Sequence, residues 1–86
     1  MYLFLEDNLL IPQSDILFII DYIHITNGEN LSFFQEESKI KEIINLSPNN
    51  EKSVVFTQEK IYITSYGTQT LLSRNNEFFN IIGGKK

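Results

Sequence analysis

Acid–base catalysis by carboxylates needs two of them in one pocket, with their pKa values pushed apart. The sequence brings two such pairs close along the chain, Glu6 with Asp7 and Asp15 with Asp21. Glu6-Asp7-Asn8 and Gln13-Ser14-Asp15 each lie between apolar runs, where short polar residues make turns. Asp21 differs, because it closes the apolar run Ile16-Leu17-Phe18-Ile19-Ile20. A carboxylate buried there must be hydrogen-bonded or paired, so a strand-end cap or an intersubunit ion pair is expected. The one histidine, His24, has the chemistry of a general base or of a pH-sensitive interface group. No Ser/His/Asp or Cys/His signature accompanies it, and it reads as an ordinary strand-end histidine. Cysteine is absent, which excludes disulfides and thiolate metal sites, and a single histidine excludes a multi-histidine site within one chain. Gly28, Gly67, Gly83 and Gly84 match neither P-loop nor dinucleotide spacing. The expectation is therefore no catalytic residues, no metal, no cofactor, and a binding module in place of an enzyme.

Nucleic-acid binding would need basic side chains gathered on one face. The seven basic residues are Lys39, Lys41, Lys52, Lys60, Arg74, Lys85 and Lys86, set among eleven acidic ones for a net charge of -4. Scattered in this way they read as a solvated surface. Lys52 and Lys60 are the candidates for nucleic-acid contact, because they flank one expected hairpin and an assembly would repeat them. Phosphate contacts sum over subunits, though an assembly also multiplies the negative charge.

The elements that must position these residues follow from pattern. Met1 to Leu5 reads as a strand, Glu6-Asp7-Asn8 as a turn, and Leu9-Leu10-Ile11 as a second strand ended by Pro12. The run from Ile16 to Tyr22 is nearly continuous in apolar residues, which suits a central strand covered on both faces. Thr26-Asn27-Gly28 signals a loop. Ser32-Phe33-Phe34-Gln35 matches a capping box. Phe33, Ile40 and Ile44 share one helical face, and Glu37 and Lys41 form an i,i+4 pair, so a helix is expected over residues 33–46. Ser53 to Thr57 and Lys60 to Thr64 form a second hairpin around Gln58-Glu59. Thr68 to Arg74 has room for one or two helical turns. The order β-β-β-α-β-β defines an α+β domain with a small, mostly antiparallel sheet and one main helix.

Residues 1–74 make the domain and 75–86 a tail. The tail carries Phe78, Phe79, Ile81 and Ile82. It reads as a helix docked on its own domain, an arm for a neighbouring subunit, or an unfolded end. An 86-residue chain buries only about 60–65% of its unfolded surface. Domains of this size often add a disulfide, a metal or self-association, and here self-association is the supplement left open. A sheet with both faces apolar and one main helix to cover them points the same way. The expected interface residues are Tyr2, Phe4, Leu9, Ile11, Phe18, Ile20 and Tyr22. The N-terminus lacks the basic region of a signal peptide. The longest apolar stretch falls far short of the roughly 20 residues that span a bilayer. A cytoplasmic protein with no membrane partner is expected.

Several segments recur together in one known family: Met1-Tyr2-Leu3, Leu10-Ile11-Pro12, Asp15-Ile16, Ile20-Asp21, Lys52-Ser53-Val54-Val55 and Ile61-Tyr62-Ile63-Thr64. With Thr70-Leu71-Leu72-Ser73-Arg74 as a closing segment, residues 1–74 resemble the small bacterial extracellular matrix regulatory protein B family. Its members are relatives of the biofilm regulator RemA. The resemblance implies a compact domain that assembles into homo-oligomeric rings. It also implies a role in transcriptional control of matrix genes, acting on double-stranded DNA or on a DNA-binding regulatory protein. In RemA, arginines before the third strand and after the helix serve DNA binding. The matching segments here are Gln13-Ser14-Asp15 and Pro48-Asn49-Asn50-Glu51, so no DNA-contact residue carries over. An oligomeric scaffold without DNA contact is the alternative.

Overall fold

A computed structural model describes residues 2–26 and 30–74. The expected loop at Asn27-Gly28, the readings of residues 75–86, and Lys85 and Lys86 lie outside the described residues. Strands β1 (Tyr2–Leu5) and β2 (Leu9–Pro12) form the expected antiparallel hairpin, with Leu3 opposite Ile11 and Phe4 opposite Leu10. A 3-10 turn at Glu6–Asn8 joins them, with Asp7 and Asn8 at positive φ (62° and 59°). Asp and Asn tolerate that left-handed geometry better than most side chains.

A second 3-10 turn at Gln13–Asp15 leads into β3 (Ile16–Asp21). Helices α1 (Tyr22–Thr26) and α2 (Leu31–Ser38) follow, then β4 (Glu42–Asn45), β5 (Ser53–Thr57), β6 (Lys60–Thr64) and α3 (Thr68–Arg74). The four-stranded sheet has the order β3-β5-β6-β4, with β4 parallel to β6 and the other pairs antiparallel. The class is α+β, as expected.

Three local readings are corrected. The helix expected over residues 33–46 ends at Ser38, and Glu42–Asn45 is a strand. Ile43 and Ile44 are β-branched, and pairing them with Ile61 and Tyr62 buries β6 on its far side. Helical spacing was satisfied locally, but the tertiary pairing prevails. The Glu37–Lys41 ion pair still forms at 3.0 Å, because backbone bonds from the Ile40 and Lys41 N–H groups to the Glu37 carbonyl carry the turn past the helix end. The N-cap is Asn30, without a side-chain bond, in place of Ser32. Tyr22, read as the end of a strand, instead opens α1.

The fourth correction concerns the sheet. β3 is an edge strand, and the strand buried on both faces is β5. Its residues alternate between two cores. Val55 joins Leu3, Leu5, Ile11 and Leu71 beneath the hairpin and α3. Val54 and Phe56 join Ile25, Ile61 and Ile63 beneath α1 and α2. The hairpin and the helix pair therefore cover opposite faces of one sheet. No helix among the described residues is long and apolar enough to cross a membrane.

Candidate interaction surfaces

The acidic positions resolve first. Glu6 leads the hairpin turn, and its carboxylate accepts hydrogen bonds from the Ser47 hydroxyl (2.6 Å), the Thr64 hydroxyl (2.6 Å), and the Ser65 N–H and hydroxyl (2.7 Å each). Partial burial pushes its pKa up, but these four donors outweigh burial and hold it at about 2. A carboxylate so engaged fastens the hairpin turn to the ends of β4 and β6, and its oxygens are occupied by donors rather than offered to a substrate. Asp7 is exposed and makes no pair with it. Asp15 is likewise exposed, and its carbonyl accepts the Gln58 N–H. Asp21 lies 3.8 Å from His24 within the same chain, and both side chains are exposed. For Asp21, where a strand-end cap or an intersubunit ion pair is expected, the structure adds a contact within the chain: α1 begins at the next residue and sets His24 one turn along.

The lysines do not converge. In the antiparallel β5–β6 hairpin, Lys52 precedes the open end and Lys60 sits at the turn. At the rise of a strand this separates them by about 17 Å. Lys60 lies 3.9 Å from Glu42, and Lys39 lies 3.2 Å from Glu36. Lys41 is largely buried, bonded to Glu37 and to the Thr57 carbonyl. Lys52 is exposed at the rim of an open cleft of about 710 Å³, lined also by Asp21, Tyr22, Glu51, Tyr66 and Thr68. The rim thus carries two carboxylates beside one ammonium group. Among the described residues no group of three or more His, Asp or Glu is placed to hold a metal.

The apolar candidates divide sharply. Tyr2 (59% exposed) and Phe4 point away from the core on the outer face of the hairpin. Ile11, at 3% exposed, is a core residue and cannot line a surface between subunits. Leu9 is half-buried against the same core. The reason is register: with Phe4 opposite Leu10, it is Leu10 that stands outward, while Leu9 and Ile11 turn in. A one-residue shift exchanges the faces of a strand completely. Ile20 and Tyr22 are half-buried against the second core. Phe18 is exposed at the sheet edge, 5.7 Å from Phe33 and 4.7 Å from the buried Phe56, ring centre to ring centre.

Sequence reasoning missed Leu10, Leu17 and Phe33 as surface residues. Alternation from Tyr2 and Phe4 across the turn would have found Leu10. For Leu17 the signal is weaker, because the pairing of β3 with β5 shifts register between Ile16 and Phe18, a bulge that sequence does not mark. Neither protein-family models nor curated proteins give a match to this chain.

Proposed function

We propose that this chain is a ring-forming bacterial regulatory protein, cytoplasmic, of the kind that residues 1–74 resemble, acting on a DNA-binding relative or on DNA itself. The observation that carries the reading is the apolar surface exposed by the described residues of a chain with a thin core. The outer hairpin face and the β3 edge together expose Tyr2, Phe4, Leu10, Leu17 and Phe18. Apolar clusters of this kind mark association sites on small proteins. Among the described residues β3 is the edge of its sheet, and the backbone groups of an edge strand favour pairing with another chain.

A second reading, an oligomeric scaffold without DNA contact, is favoured by the separation of Lys52 from Lys60 and by the net charge of -4. Light scattering of the full chain is expected to give a mass several times that of the monomer. A monomer throughout the micromolar range would overturn both readings. Fluorescence anisotropy with duplex DNA then separates them. Binding that weakens steeply with salt supports the regulator acting on DNA. No binding at low salt leaves the scaffold, or action through a protein partner.

A further inference from the structure

The open cleft that Lys52 rims lies where three chain segments meet side by side. The Tyr22 N–H donates to the Lys52 carbonyl and the Lys52 N–H to the Thr64 carbonyl, at 2.9 Å each. These bonds tie the start of α1, the residue before β5 and the end of β6 into one row. Just past β6, the Ser65 N–H donates to the Glu6 carboxylate (2.7 Å) and the Tyr66 N–H to the Thr64 hydroxyl (3.1 Å). Tyr22, Lys52, Ser65 and Tyr66 all line the cleft, so its lining stands on a backbone that the fold already holds in place. Its volume of about 710 Å³ falls within the range of small-molecule sites.

The charges of this cleft are not joined to one another. Lys52 shares the lining with Asp21 and Glu51. Yet among the described residues the other lysines, Lys39, Lys41 and Lys60, each have a carboxylate partner, and Lys52 has none. Asp21 has only the exposed His24 at 3.8 Å, and an exposed pair of that length binds weakly. Glu51 accepts the Asn45 amide at 3.0 Å. One ammonium group and two carboxylates therefore line one space without neutralising each other.

We propose that the cleft binds a short peptide with both ends free, its ammonium group meeting Asp21 and Glu51 and its carboxylate meeting Lys52. A ligand of one sign only would meet a like charge, which selects for a zwitterion. Spacing favours a dipeptide over a single amino acid. Asp21 stands opposite Ser53, the neighbour of Lys52, so the two charges rise from adjacent chains with backbones about 5 Å apart. The ends of an extended dipeptide are about 7 Å apart, whereas an amino acid carries both charges on one carbon. Hydroxyls of Tyr22, Tyr66 and Thr68 are also in the lining, and a hydroxyl can donate to or accept from the peptide group between the two ends. The inference does not depend on self-association.

The test is a titration of the full chain with glycylglycine, followed by the amide NMR shifts. Millimolar affinity is the scale for so small a ligand. Saturable shifts are expected at the amides of Asp21, Tyr22, Lys52, Tyr66 and Thr68. N-acetylglycylglycine lacks the ammonium group and glycylglycine amide lacks the carboxylate. Each is expected to bind about tenfold more weakly, the loss of one charged hydrogen bond. Lys52→Gln should bind glycylglycine and its amide alike, and Asp21→Asn should bind glycylglycine and its acetylated form alike. The blocked ligands act on the wild-type chain, so the result can be read even where a variant fails to fold. Absence of saturable shifts, shifts confined to other residues, or blocked forms that bind as tightly as the free dipeptide would each overturn the assignment.

Discussion

Glu6 shows how much one side chain can organise. Four donors from Ser47, Thr64 and Ser65 converge on it from positions 41 to 59 residues away along the chain. Its folded pKa of about 2 lies below the ordinary 4.5. Stabilisation from such a group is fully present above the unfolded value and is lost as pH falls through the folded one. Solvent reaches part of the site, which reduces the contribution to about 1–2 kcal/mol at neutral pH. Glu6→Gln is expected to lower stability by that amount in urea melts at about pH 7, because the amide presents N–H groups to donors. The gap between wild type and variant should narrow as the pH is taken from 4.5 toward 2. A gap that stays constant across that range would show that ionisation of Glu6 does not matter to the fold.

Among the elements, β5 has the largest share of the packing. All five of its residues are buried, and it divides the two cores between its faces. Phe56 is fully buried against Phe18, Phe33 and Phe34. Phe56→Ala is expected to cost about 3–5 kcal/mol, the range for removing a buried aromatic ring. Phe33→Ala, on a half-open ring, is expected to cost less than about 2 kcal/mol. Urea midpoints of the two variants check the ratio, and equal losses would mean that α2 contributes as much to the second core as the central strand does. The elements also differ in how far sequence revealed them. Both hairpins and α3 were legible, since adjacent segments and the turns between them set each one. The α2–β4 segment was not. Its isoleucines fit a helical stripe and a strand equally well, and only the distant β6 decides between them.

Taken as a whole, the molecule carries apolar surface on both sides of a thin two-core body. If that surface joins copies, folding and assembly are linked, and the urea midpoint should rise with protein concentration. A midpoint independent of concentration over the range in which light scattering reports assembly would show that the contact adds nothing to stability. Sequence by itself determined the class of the fold and the two hairpins, because composition and turn residues are local properties. The candidate surface was only half legible: of the side chains named from sequence, Tyr2, Phe4 and Phe18 are exposed, while Leu9 and Ile11 face inward and Leu10 stands outward in their place. Tertiary structure alone decided that register, the exchange of β3 for β5 as the doubly covered strand, and the distance between Lys52 and Lys60. Each depends on which strands lie side by side, and strand pairing is a contact between residues far apart in the chain.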